Sequence, residues 1–209
     1  MEQIDTDYLV VGAGATSMAF VDALLSETAA RIVIVDQRDH PGGHWNDAYP
    51  FVRLHQPAAF YGVNSRPLGQ PVKETGGLND GLMDLVSGPE IVGYFGQLMT
   101  QRFLPSGRVQ YFPMSKMVDD DTFESLLTGT RRRVVLKRKR VDATYADTAV
   151  PATHPPKYPV APEAECVPLN RLAQLRRAYR NYVVVGSGKT GIDACLWLLG
   201  HGVAPASIQ

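Results

Sequence analysis

The spacing of apolar residues changes along the chain, and each change marks an element. Tyr8-Leu9-Val10-Val11 is an unbroken apolar run that stops at Gly12, which predicts a short strand buried on both faces. Met18, Phe20, Val21, Leu24 and Leu25 then fall at helical spacing, and a second run, Arg31-Ile32-Val33-Ile34-Val35, stops at Asp36. Strand, glycine turn, helix and strand within about 30 residues make a β-α-β unit. Its strands must be parallel, so it predicts the start of a doubly wound sheet.

From Pro41 to about Gly88 no period persists, and Gly, Pro, Asn and aromatic residues predominate, which suits an irregular segment lying over a ligand. Ser87-Gly88-Pro89-Glu90 is a helix start, followed by Ile91, Tyr94, Phe95, Leu98 and Met99 on one helical face. Val109–Phe112 predicts another strand. Met114–Val118, Thr122–Leu127 and Arg133–Val141 then alternate with turn residues, so an antiparallel meander is expected over about 109–147. Five prolines between Pro151 and Pro162 mark an extended connection. Beyond it Tyr182-Val183-Val184-Val185 repeats the strand-to-glycine pattern, and Gly191 to Leu199 predicts a helix. The expected organisation is a first domain over 1–150, a Pro-rich connection over 151–178 and an incomplete second unit over 179–209. The chain stops at Ile208-Gln209, where the next parallel strand should start, and this predicts a truncated protein.

Lys plus Arg and Asp plus Glu both number 21, so no global field draws the chain to nucleic acid or an anionic membrane. Arg131-Arg132-Arg133 and Lys137–Arg140 are locally basic, but Val134, Val135 and Leu136 between them fit a solvated strand better than a nucleic-acid surface. Cys166 and Cys195 are far apart and form no C-x-x-C, so neither a disulfide framework nor a metal site is expected. With no secretory leader and no apolar run of membrane-spanning length, a soluble cytoplasmic protein is expected.

The candidate chemistry lies at the two glycine turns. Gly12-Ala13-Gly14-Ala15-Thr16-Ser17 matches G-x-G-x-x-G except for Ser17. Its first two glycines permit a tight turn and a close approach of backbone to a pyrophosphate, and its last position serves packing, where a small serine is tolerable. Asp36, with Gln37 beside it, ends the second strand where a carboxylate can take both hydroxyls of an adenosine ribose. Gly186-Ser187-Gly188-Lys189-Thr190-Gly191 is a complete second copy. Its Gly-Lys-Thr is not a nucleoside-triphosphate loop, because valines stand where that pattern needs its first glycine.

After five residues beyond Asp36 comes Gly42-Gly43-His44-Trp45, and this spacing resembles the flavin-dependent monooxygenases, including the flavin-containing and Baeyer-Villiger types. The resemblance implies an α/β fold: a Rossmann-like, FAD-binding, doubly wound parallel sheet with an antiparallel meander, plus the start of a second Rossmann-like unit. It implies FAD on the first turn and NAD(P)H on the second, NADPH being favoured. It places Gly43, His44 and Trp45 near the cofactor and His55 and Gln56 near the isoalloxazine, with Asn64 a weaker candidate. Against these stand plainer readings, of Trp45 as a core aromatic and of His55 as structural. His154 and Tyr158 fit the second half of a monooxygenase fingerprint, whereas Thr148 and Val150 replace its Phe and Gly, and Ala143-Thr144-Tyr145 replaces an A-T-G. The implied activity is NAD(P)H-driven flavin reduction followed by oxygenation of a small molecule. The alternatives are a flavin oxidoreductase that does not oxygenate and a non-catalytic nucleotide-binding fragment. Disulfide reductases fall away because no cysteine precedes Cys166. No acid, base or nucleophile is assigned, and a homodimer stays open.

Overall fold

The computed structural model describes residues 2–146 and 148–209; Met1 and Asp147, where the expected first domain begins and the expected meander ends, lie outside the described residues. In chain order the elements are β1 (Glu2–Val11), α1 (Ala15–Glu27), β2 (Ile32–Val35), α2 (Gly88–Leu98), β3 (Val109–Phe112), β4 (Ser115–Met117), β5 (Thr122–Ser125), β6 (Arg131–Asp142), α3 (Leu169–Leu172) and α4 (Lys189–Gly200). The strands form one sheet in the order β3-β2-β1-β6-β5-β4. β1 runs parallel to both β2 and β6, and β2 runs parallel to β3.

The meander is shorter than expected. Val109–Phe112 pairs in parallel with Ile32–Val35, so it is the third strand of the parallel sheet, and the antiparallel part begins only at Ser115. Four residues are too few for periodicity to reveal strand direction; here the helix α2 makes the crossover that a parallel neighbour requires.

The period-2 alternation of the strands divides the core. Val10, Ile32, Ile34 and Val109 face α1 and α2, together with Met18, Val21, Ile91, Phe95 and Leu98. Leu9, Val33 and Val35 face the other way, against Phe123 of β5 and Val134 of β6. One face is therefore covered by helices and the other by the meander, with the rings of Phe112 and Phe123 4.7 Å apart. All four β2 residues are at most 1% exposed. At roughly 1.5–3 kcal/mol per fully buried aliphatic side chain, this strand is among the strongest single contributions to the core.

α2 starts where Ser87 and Glu90 form a reciprocal capping box, with Pro in the first turn, and it runs on into a π-helical turn, Met99–Phe103. That turn brings Arg102 to Asp22 of α1, which is buried; Arg102 Nε donates to Asp22 at 2.6 Å, and the Ser65 hydroxyl and N–H donate to the same carboxylate. A buried charge inside α1 is thus neutralised and hydrogen-bonded. The 41–87 segment is irregular, as expected, but it is well seated: Leu54, Ala58, Val63, Leu68 and Val86 belong to the helix-side core.

A smaller cluster is built on Leu172, Ala194 and Leu198, with Phe51 packed against it. The expected strand over Tyr182–Val185 is reduced to one parallel bridge, Tyr182 to Ile208, backed by main-chain bonds from Tyr182 to Ser207 and from Val184 to Gln209. Val183 and Val185 are exposed, and a lone two-stranded pairing is too weak to hold a regular ladder. The basic stretch is a charge-compensated strand: Arg131 pairs with Glu124, Arg132 with Glu2, Arg133 with Asp121 and Arg140 with Asp120. Among the described residues no helix is long and apolar enough to cross a membrane.

Candidate dinucleotide sites

β1 ends in a turn that only glycine makes easily: Gly12 has φ +96°, and its N–H donates to the Val35 carbonyl at 2.8 Å. Gly14 caps α1 with no side-chain hydrogen bond, so no cap side chain takes the first-turn N–H groups of Ala15, Thr16 and Ser17 at the positive end of the helix, where an anion is favoured. Ser17 is fully buried, and its hydroxyl donates to the Gly14 carbonyl at 2.8 Å, a packing role that suits the last position of the motif.

The glycine pair docks directly on this turn. Gly42 donates its N–H to the Ala13 carbonyl at 2.8 Å. Gly43, at φ +58°, lies so close that a Cβ there would sit 3.0 Å from the Gly14 Cα. Two bare backbone segments therefore touch. Asp36 braces the same turn: one carboxylate oxygen accepts the Ala13 N–H at 2.5 Å, the other the Arg38 N–H at 2.7 Å. Each oxygen keeps a second lone pair.

The turn opens onto a cleft of about 720 Å³ whose lining includes Gly12, Asp36, Gln37, Arg38, Asp47 and Thr144. The Arg38 guanidinium is held by Asp47 through Nε at 3.0 Å and Nη2 at 2.5 Å. The Thr144 methyl sits opposite Gly12, where a Cβ would approach it to 3.0 Å. Hydrogen bonds from the Thr144 hydroxyl and backbone N–H hold the Asp142 carboxyl below the usual carboxylate range. Sequence reasoning missed Arg38, Asp47, Asp142 and Thr144. A signal did exist for Thr144, because Ala143-Thr144 supplies the first two residues of the A-T-G closure.

His44 and Trp45 follow the glycine pair in a 3-10 turn (Gly43–Asp47), with ring centroids 5.1 Å apart. Burial, reinforced by the Arg38 charge and opposed by Asp47, holds the His44 imidazole below its ordinary value. Trp45 packs against the helix-side core, and its indole N–H donates to the Tyr61 hydroxyl at 2.6 Å. His55 is exposed and Gln56 half-buried; neither lines the cleft. Asn64 is exposed in the turn closed by the Val63–Arg66 bridge.

At the second turn Gly186 has φ +122°, Gly188 caps α4 without a side-chain bond, and a Cβ on Gly191 would run into the Gly186 carbonyl. Ser187 and Gly188 are exposed, and Thr190 lies against the Tyr49 hydroxyl. Lys189 turns away from the open end. Its ammonium donates to Asp193, to the Arg53 carbonyl at 2.6 Å and to the Tyr49 hydroxyl at 3.4 Å. Among the described residues no group of three or more His, Cys, Asp or Glu is placed to hold a metal ion.

Residues 10–63, from the end of β1 through the glycine pair and Trp45, match the family of NAD(P)-binding Rossmann-like domains. The chain is similar in fold to a cyclohexanone monooxygenase variant from Rhodococcus sp. Phi1 bound to NADP+, with a TM-score of 0.55 at 20% identity over 94% of this chain and 37% of that one. An open cyclohexanone monooxygenase gives 0.54 at 20% identity, covering 94% and 38%. The fold is that of the flavin-dependent monooxygenases. Uncharacterized proteins of Mycobacterium tuberculosis and Mycobacterium bovis are 52% identical over 202 residues, which is 97% of this chain. The chain spans 37% of the length of these curated relatives.

Proposed function

We propose that this chain is the nucleotide-binding part of an FAD-dependent, NAD(P)H-using monooxygenase acting on a small molecule. The observation that carries the reading is the contact between Gly14 and Gly43, two backbone segments without side chains, beside a cleft that also contains Asp36. The residues present fit FAD. The N–H groups of Ala15, Thr16 and Ser17 would hold the pyrophosphate, and Asp36 would take the adenosine ribose with Gln37 and Arg38 beside it. Gly186, Ser187, Gly188, Thr190 and Gly191 would hold the pyrophosphate of NAD(P)H in the same way, with NADPH favoured on the resemblance to monooxygenases. When bound, the flavin supplies the two-electron chemistry that links NAD(P)H oxidation to oxygen. The protein's share is alignment. It would fix the cofactor by bare backbone at Gly14 and Gly43 and set the ribose against Asp36.

An anaerobic titration of the flavin-loaded protein with NADPH tests this. The yellow absorbance should bleach, and readmitted oxygen should give an oxygenated product. Peroxide without product would leave a non-oxygenating flavin oxidoreductase, and failure to hold flavin would end the reading altogether.

A further inference from the structure

The geometry points to Lys189, Asp193 and Tyr49 as a positioning clamp that sets the second glycine turn in register with the segment that leaves the first-turn glycine pair, Lys189 acting through Asp193 and the Arg53 carbonyl rather than by touching the nucleotide.

Lys189 is the first residue of α4 and Asp193 lies one turn on, so both project from the same side of the helix. The partners that complete the cluster come from far away in sequence. Tyr49, two residues beyond the 3-10 turn that carries His44 and Trp45, donates its hydroxyl to Asp193 at 2.5 Å, and Arg53 supplies a main-chain carbonyl to the Lys189 ammonium. Every strong hydrogen bond of the ammonium is thereby taken up within the chain. Tyr49 is buried, and that burial, with the hydrogen bond to Asp193 and its charge, pushes the phenol above its ordinary range, so it remains a donor throughout the working pH range. Next to the cluster the Phe51 ring stacks on Trp197 of α4 at 5.4 Å, and the Asn170 amide donates to the Asp47 carbonyl at 2.8 Å. The segment that leaves the glycine pair is therefore fastened to the helix that begins at the second turn. Lys189, with Thr190 beside it against the Tyr49 hydroxyl, brings the second glycine motif itself into this fastening.

This inference rests on the proposed function, in which a nicotinamide must meet a flavin held on the first turn. A misplacement of about 1 Å can slow such a step on the order of 100-fold without weakening binding. A residue that sets register should therefore affect the rate of hydride transfer, whereas a phosphate ligand should affect affinity.

The test is anaerobic stopped-flow reduction of the flavin-loaded protein by NADPH, comparing wild type with Lys189→Met, Asp193→Asn, the double variant and Lys189→Arg. The clamp predicts a limiting reduction rate at least about tenfold lower, with the NADPH Kd changed less than about threefold. It also predicts a double variant no worse than the poorer single one, and partial rescue by Lys189→Arg. A tenfold rise in Kd at unchanged limiting rate would make Lys189 a phosphate ligand and overturn the proposal. So would full activity in Lys189→Met. Should the wild-type flavin not be reduced at all, the functional reading fails by itself, and amide hydrogen exchange then judges the clamp. Faster exchange in α4 of Lys189→Met, with α1 unchanged, supports it; identical exchange in both proteins overturns it.

Discussion

Replacing Gly43 by Ala puts the arrangement of the first turn to a direct test. The residue sits at φ +58°, where an L-residue costs roughly 1–2 kcal/mol more than glycine. Its new methyl would lie 3.0 Å from the Gly14 Cα, whereas carbon atoms pack best at about 3.5–4.0 Å, so the two segments must part by roughly half an ångström or more. That separation strains the hydrogen bond from Gly42 to the Ala13 carbonyl, which is worth about 1 kcal/mol. The sum is about 2–3 kcal/mol of stability. At roughly 2–4 °C per kcal/mol for a chain of this size, the midpoint should fall by about 4–12 °C. Gly76→Ala is the matched control: φ there is +86°, and nothing lies within 4 Å of the added methyl, so it carries the conformational part alone. Thermal unfolding of both variants, with and without FAD, separates the two contributions. Gly43→Ala should lose more than Gly76→Ala and should bind FAD at least about tenfold more weakly, which corresponds to 1.4 kcal/mol. Equal losses in the two variants, with flavin affinity intact in both, would refute the claim that the glycine pair and the first turn form one site.

Three other expectations follow from the same geometry. Arg102→Ala leaves the Asp22 carboxylate, 1% exposed, with only the Ser65 donors, and should lower the unfolding free energy by about 3–5 kcal/mol in urea; a loss below about 1 kcal/mol would show that the pair is dispensable. Asp36→Asn turns an amide NH2 toward a backbone N–H of Ala13 or Arg38, and should cost about 1–3 kcal/mol as well as flavin; a variant that keeps both wild-type stability and full flavin content speaks against the bracing role. His44 is held below its ordinary value by burial first and then by Arg38, so below about pH 6.5 the unfolded chain binds a proton that the folded chain does not. Its stabilising contribution is complete above that pH and is lost as pH falls toward the folded value; His44→Gln should flatten the stability profile between pH 7 and pH 5, and an unchanged profile counts against it.

The chemistry of the turns was legible because it depends on residue types with few substitutes. Glycines at positive φ, a carboxylate at a strand end and a buried Val-Ile run each follow from local sterics, and Gly12, Asp36 and Ile32–Val35 stand where those rules put them. What escaped was whatever depends on the partner chosen. The direction of Val109–Phe112 is set by the α2 crossover, and nothing in four residues encodes it. The packing of Thr144 against Gly12 joins residues 132 positions apart, as the Tyr49–Asp193 bond joins residues 144 apart. Trp45 shows the converse: the resemblance implied a place near the cofactor, while its bond to Tyr61 and its seat against the helix-side core give it the packing role that the plainer reading expected.

The two turns share a motif and differ in how they are held, and the difference bears on which nucleotide each would carry. The first is fixed on three sides by the chain's own contacts: Asp36 holds Ala13, Gly42 and Gly43 lie on Ala13 and Gly14, and Thr144 closes over Gly12. A site ordered in advance loses little entropy on binding and releases its ligand slowly. The second turn has exposed Ser187 and Gly188, with open space beside Gly186 and Gly188, and is tied to the rest of the chain through the side chains of Lys189 and Asp193 rather than through backbone packed on the turn. A nucleotide there can leave without disturbing the fastening that sets its position. A resident flavin and an exchanging NAD(P)H need just this pairing of a braced site with an open one, and so the asymmetry of the two turns agrees with FAD on the first and the reductant on the second.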